Sequence, residues 1–279
     1  MTRKLGSYKL KGNRNASRNW WRHLSKGPEV DHVTVPVKFV NEDGATVVQN
    51  EPWPIIDVHK ILHFLFDDAE LQIPEEIIHE YWQKSKQFGE EWAQHISEEN
   101  YLKFIPIGLY GDSARVRTTF GSENVISVYC NLVLWRPKSV RFSRFLVFTI
   151  PEERCTANTL TAALRRIVWS CNHAYNGVFP TAGPSGQNLS GKDAQMQGLP
   201  LTKKGFQFQV TEIRGDWAWH KKIFRFHKCQ WNGDKMCPFC DARGLSDKWE
   251  ECYWNLESNN HQDFDLSAFL ANRIPPQNI

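Results

Sequence analysis

From His32 to Val40 the chain alternates apolar and polar positions (HVTVPVKFV), the period of a strand with one covered face. NEDGATVV then supplies a turn and a short returning strand. PWPIIDVHKILHFLFDD opens on prolines and continues with helical spacing through Ile56, Ile61, Leu62 and Leu65. PEEIIHEYWQKSKQFGEEWAQHI predicts a second helix, with Pro74 at its first turn and acids beside it. Beyond residue 100 the pattern turns to strands. FIPIGLYGDSARV reads as a strand ending in a Gly-Asp turn, and VISVYCNLVLW and RFLVFTI as two more, joined by RPKSVRFS. TANTLTAALRRIVWSCNHAYNGVF predicts a helix with Thr and Asn near its cap and Leu160, Leu164, Ile167 and Val168 on one face. Gly, Pro, Ser and Gln between Pro180 and Pro200 mark a long surface loop. FQFQVTEIRGD is again a strand and WAWHKKIFRF a helix.

These elements predict a mixed α/β (α+β) protein. Residues 1–30 form a basic flexible arm, 31–100 a helical accessory region, 101–226 the main core, and 227–279 a zinc knuckle with a C-terminal extension. From residue 101 the order is strand, strand, strand, helix, strand, helix. That is the element order of an RNase H-like core, in which an antiparallel meander is joined through a helix to a further strand. Many α+β domains share such an order, so the placement of acids has to sharpen it.

Asp112 lies in LYGDSARV and Asp216 in EIRGDWAWH; both follow a glycine and an apolar strand. In an RNase H-like arrangement the first and fourth strands are neighbours, so carboxylates at these positions converge. Their mutual repulsion is relieved by divalent cations, which activate a water or hydroxyl and stabilise the leaving oxygen at a phosphodiester. Oxygen ligands of this kind suit Mg²⁺ or Mn²⁺. The bland alternative is a turn and helix-cap pair that needs no metal. A third acid comes from Glu250, Glu251, Asp263, Asp265 or Glu212, with Glu251 taken as the catalytic candidate.

MCPFCDARG sets Cys237 and Cys240 at the spacing of a zinc knuckle. His227 and Cys229 lie just upstream and complete the expected ligand set, with His220 and Cys252 as alternatives. A redox Cys-x-x-Cys would open a helix after a strand, whereas this one sits in a polar stretch beside His and Cys. Cys130, Cys155 and Cys171 read as buried small residues, and His59, His63 and His79 as ordinary core or surface histidines.

Composition changes this picture little. Of 279 residues 41% are hydrophobic and 23% charged, ordinary globular usage that excludes a disordered chain. Twelve Trp and 17 Phe suit a core first and base stacking second. The net charge of +3 argues for no partner by itself, but its distribution does. Arg3, Lys4, Lys9, Lys11, Arg14, Arg18, Arg22 and Lys26 precede the first acid, Glu29. Such an arm neutralises DNA phosphates or serves nuclear import, which makes the nucleus the expected compartment and the cytoplasm the alternative. Apolar runs such as Val125 to Trp135 fall short of the roughly 20 residues that span a bilayer, and the N-terminus lacks a secretory apolar region. Seven cysteines with no export signal point to reduced thiols. The expected partners are therefore DNA, through the arm, and further copies of the chain, with no membrane.

EYWQKSKQFGEEWAQH, IPIGLYGDSARV, VTEIRGDWAWHKKIF and CPFCDARG together resemble a transposase-like family repeated many times in protist genomes, over roughly residues 75 to 245. Gly-Asp, Gly-Asp-Trp and a downstream Cys-x-x-Cys are also similar to the DDE cores of eukaryotic cut-and-paste transposases, which carry a cysteine-bearing insertion after the second Asp. The resemblance implies that Asp112 and Asp216 hold the first two acidic positions and Cys237 and Cys240 the insertion cysteines, with His227 as companion ligand. Such proteins continue to a helix bearing the third acid, whereas this sequence ends at Ile279. The expectation is a fragment, or a domesticated copy that binds DNA without cutting it.

Overall fold

The computed structural model describes residues 27–118, 121–137 and 143–224. Contacts divide the chain after Arg214 into two units. The first unit is built on a six-stranded sheet: β1 (Asp31–Val40), β2 (Thr46–Ile55), β3 (Phe104–Thr118), β4 (Gly121–Leu132), β5 (Arg144–Pro151) and β6 (Gln207–Gly215). The strand order is β1-β2-β5-β4-β3-β6. Helices α1 (Val58–His63), α2 (Glu75–Gln87), α3 (Glu91–Gln94), α4 (Thr159–Asn176) and α5 (Gly191–Met196) connect the strands; α6 (Trp217–Phe224) is the described part of the second unit.

The meander β3-β4-β5 is antiparallel throughout, with Leu109 opposite Cys130 and Ile126 opposite Ile150. Side chains alternate across the pleat. Ile105, Ile107 and Leu109 of β3 thus share a buried face with Ile126, Val128, Cys130 and Leu132 of β4. Helix α4 follows β5 and buries Ala163, Ile167, Ser170, Cys171 and Ala174, a stripe at 3.6-residue spacing. Burial pushes the Cys130 and Cys171 thiols up, Cys171 to about 12, so neither is a nucleophile at neutral pH. The helix ends at Gly177, whose φ of 67° is the left-handed cap conformation and whose N–H donates to Ala174. Helix α2 buries Ile78, Trp82 and Ser85, and the Trp82 indole donates to the Phe104 carbonyl at 2.8 Å.

Three expectations change in detail. The hairpin at the start of the accessory region is an edge of the main sheet. β2 takes in the prolines that open the next segment, running through Pro52 and Pro54 to Ile55, with the helix beginning only at Val58 rather than at Ile56. Prolines fit there because β2 meets β5 at the single pair Ile55 and Phe148 and leaves its outer side largely unpaired. The second predicted helix breaks at Gly89 (φ 78°) into α2 and α3. The long loop after Pro180 contains the short helix α5. The alternation of strands and helices from residue 101 onward otherwise follows the predicted order.

Candidate functional site

Asp112 does not end a strand. β3 continues to Thr118, with Gly111 opposite Val128 and Asp112 opposite Ser127. The Gly-Asp pair resembles a turn in sequence, yet β4 and the alternating pattern around it carry the extended backbone through. Asp112 lies on the face opposite Leu109, together with Gly108 and Tyr110. Its carboxylate is held twice: the Tyr110 hydroxyl donates to Oδ2 at 3.0 Å, and the Ser113 backbone N–H donates to Oδ1 at 2.8 Å. The Arg144 guanidinium covers the Tyr110 ring at 3.7 Å from its centroid, and Tyr129 flanks it at 6.2 Å. Burial, the hydrogen bond to Asp112 and that carboxylate's charge push the Tyr110 phenol up, so it remains a donor at neutral pH. A carboxylate accepts about four hydrogen bonds or ligands, so both oxygens of Asp112 keep capacity for a cation.

Glu212 of β6, named as a third acid, is engaged elsewhere. Its Oε1 accepts from Asn131 Nδ2 at 3.1 Å and its Oε2 pairs with Arg214 at 2.5 Å. Both side chains lie across Gly108, where an added Cβ would stand 2.6 Å from Glu212 Oε1 and 2.7 Å from Asn131 Oδ1. Gly108 is four residues from Asp112, about 13 Å along an extended strand. Glu212 therefore does not share ions with Asp112.

Asp216 directly follows β6 and caps α6. The Trp219 N–H donates to its Oδ1 at 2.6 Å, the bond from a capping side chain to the third helical residue. This is the helix-cap role that the Gly-Asp pair also permits, and it leaves the other carboxylate oxygen available. Within the same helix His220 packs on Trp219 and Phe224, and its Nε2 is buried with no hydrogen-bond partner among the described residues. An unpartnered imidazole nitrogen has the lone pair that a metal ligand needs. The predicted ligands His227, Cys229, Cys237 and Cys240, and the acid Glu251, lie outside the described residues. Among the described residues no three His, Cys, Asp or Glu side chains gather as a metal site.

A second polar centre escaped the sequence reading. Arg166 of α4 forms a two-pronged ion pair with the buried Asp57, at 2.8 and 2.5 Å, and stacks over Trp169 at 4.2 Å. Next to it, Lys60 bridges Asp31 and Asp193 at 2.8 and 2.7 Å. Burial pulls the Lys60 ammonium down, but its bonds to Asp193 and Asp31 outweigh this and raise it. His59 is fully buried, its Nδ1 2.8 Å from Ser170 Oγ, and burial with the nearby Lys60, His173 and Arg166 charges lowers it to about 3. The available signal was Asp57-x-His59-Lys60 in an otherwise apolar helix, which helical spacing alone presents as a surface face.

No family model, no curated protein and no solved structure matches this chain.

Proposed function

We propose that the chain is a DNA-binding protein built on a transposase-type, RNase H-like catalytic core, and that it holds DNA with little or no cleavage. The observation that carries this reading is the strand order β5-β4-β3-β6, with one long helix between β5 and β6. In an RNase H-like core the first strand lies between the second and the fourth, as β3 lies between β4 and β6. On this reading Asp112, within β3, and Asp216, directly after β6, are the first two acids of that plan. Their oxygen donors suit Mg²⁺ or Mn²⁺, which would supply activation of the attacking water and charge neutralisation at phosphate. The chain's own part is to orient Asp112 through Tyr110 and Ser113, and to supply a third carboxylate, for which Glu251 remains the candidate. With Glu212 committed to Asn131 and Arg214, that third position has no support on the sheet itself, so binding outweighs cutting.

DNA contact is assigned to the eight basic residues from Arg3 to Lys26, supported by a knuckle in which Cys237 and Cys240 hold Zn²⁺ with His227 and Cys229, or with His220. A nuclear location and self-association belong to the same proposal. The test is duplex-DNA anisotropy as a function of salt, alongside a Mn²⁺ nicking assay. Full-length protein should bind with a steep salt slope that flattens when residues 1–26 are removed. Asp112→Ala and Asp216→Ala should bind as well or better, because each removes a negative charge. Lack of DNA binding sinks the reading. Robust cleavage that disappears in both Asp variants would replace the binding protein with an active enzyme.

A further inference from the structure

The loop after α4 closes on itself. The Phe179 N–H donates to Leu199 O at 2.9 Å, Gly198 N–H to Phe179 O at 3.2 Å and Leu201 N–H to Gly177 O at 2.7 Å. Its two ends are therefore fixed beside each other. Between them, residues 181–197 are mostly exposed; of these only Gly183 is buried. Their backbone bonds are internal, Gly183 to Gln187 and Ala194 to Ser190. Among the described residues, the segment is tied to the rest of the unit by the pair Lys60–Asp193 and, at its C-terminal end, by the Leu199 N–H donating to Met196 O at 3.1 Å. Segments with few buried contacts and a single side-chain tether open at low free-energy cost.

Beneath this segment is a cavity of about 20 Å³, room for one water, lined by His59, Arg166, Trp169 and Phe179 with Leu189 and Asp193 above. We propose that residues 181–197 form a strap latched by Asp193 on Lys60, and that a small anion, a carboxylate or phosphate, takes the place of Asp193 and holds the strap open. The charge balance supports this. Lys60 and Arg166 face Asp31, Asp57 and Asp193, so the closed state carries one surplus acid. When Asp193 swings out the two cations and two acids balance, and an incoming singly charged anion, a carboxylate or dihydrogen phosphate, restores the closed-state charge without added repulsion. Lys60 stays aimed, because Asp31 keeps its own bond at 2.8 Å, and an ammonium has three donors. Departure of Leu189 widens the cavity along the Trp169 and Phe179 rings, so the site favours an anion with a flat or apolar body.

Hydrogen–deuterium exchange of the full chain tests both halves. In Asp193→Asn, which keeps the side-chain size, amides of 181–197 should exchange at least about tenfold faster, while the α4 amides are unchanged. Inorganic phosphate at millimolar concentration should accelerate the strap in the unmodified chain beyond sodium chloride of equal ionic strength, and should not accelerate it further in Asp193→Asn. Equal strap exchange in Asp193→Asn and the unmodified chain overturns the latch. A fast strap in Asp193→Asn with no phosphate effect beyond chloride overturns the anion site and leaves a latch alone. Faster exchange spread equally over α4 means general destabilisation and overturns both.

Discussion

His59 gives the sharpest test of the buried polar centre, because its titration converts directly into stability. In the fold it stays neutral down to a pKa of about 3, against 6.5 for the free side chain. The cause is burial first, then the positive charges of Lys60, His173 and Arg166, with Asp193 opposing them. The sign follows from linkage. Above pH 6.5 the imidazole is neutral in both states and contributes no pH dependence. Below 6.5 the unfolded chain takes up a proton that the fold refuses, so stability falls as pH falls, until about pH 3. The gap of 3.5 units, at about 1.4 kcal/mol each, makes the full loss about 5 kcal/mol, of which about 2 kcal/mol has gone by pH 5. His59→Gln removes the titration and keeps an amide that reaches Ser170 Oγ, which now bonds His59 Nδ1 and the His59 N–H. Urea unfolding followed by tryptophan fluorescence at pH 7 and pH 5 measures the difference. The unmodified protein should lose about 2 kcal/mol more than His59→Gln over that interval. If the two lose the same amount, His59 titrates normally in the fold, and the enclosed centre described above is wrong.

Two further perturbations follow from the same geometry. Arg166→Met strands the Asp57 carboxylate, whose side chain has no exposed surface, and should cost about 3–5 kcal/mol in urea unfolding; adding Asp57→Asn should recover part of it, and additivity of the two losses would refute the pairing. Gly108→Ala places a methyl group 2.6–2.7 Å from the Glu212 and Asn131 side chains and should cost about 1–3 kcal/mol, while Glu212→Ala in the same chain should relieve it, a rescue that thermal denaturation reads directly.

The fold was legible where a single period dominates. Alternation in VISVYCNLVLW and RFLVFTI marks β4 and β5 because each has one covered face and one open one, and helical spacing marks α4 as a helix. The buried stripe of α4, however, runs through Ala163, Ile167, Ser170, Cys171 and Ala174, sharing only Ile167 with the expected face, and Val168 is exposed. It was less legible where two signals compete. Pro52 and Pro54 argue against a strand, but β2 has one nearly free edge, and proline there loses no ladder bond. Gly111-Asp112 argues for a turn, but the opposing β4 residues Val128 and Ser127 hold it extended. Of the candidate site, the acids and their parent strands were readable, whereas the partners of Asp112 were not. Tyr110 sits two residues away, which alternation predicts to share a face, yet nothing local marks it as a donor to that carboxylate rather than an ordinary strand aromatic. Arg144 comes from a different strand altogether. The His59, Lys60 and Arg166 centre was illegible for a deeper reason. The His59–Ser170 and Asp57–Arg166 pairs each span more than a hundred positions, and a charged residue in an amphipathic helix reads as solvent-facing until its partner is known.

The two polar centres differ in what they do for the fold, and this difference makes the functional reading testable. Asp57 and His59, at the start of α1, pack against Arg166 and Ser170 of α4, where each charge or imidazole depends on a specific partner, so their substitution disturbs stability. Asp112 lies on the opposite face, in contact with Tyr110 and its neighbour's backbone N–H, and no cation pairs with it among the described residues. A half-buried carboxylate held only by two donors contributes about as much to stability as ordinary hydrogen bonds do. It stands where β3 passes from its apolar first half to the polar residues Ser113, Arg115 and Arg117, opposite Ser127. A residue that a strand tolerates without needing is one whose removal leaves a folded protein, so any change in DNA binding or cation dependence on Asp112→Ala reports on function rather than on collapse of the core.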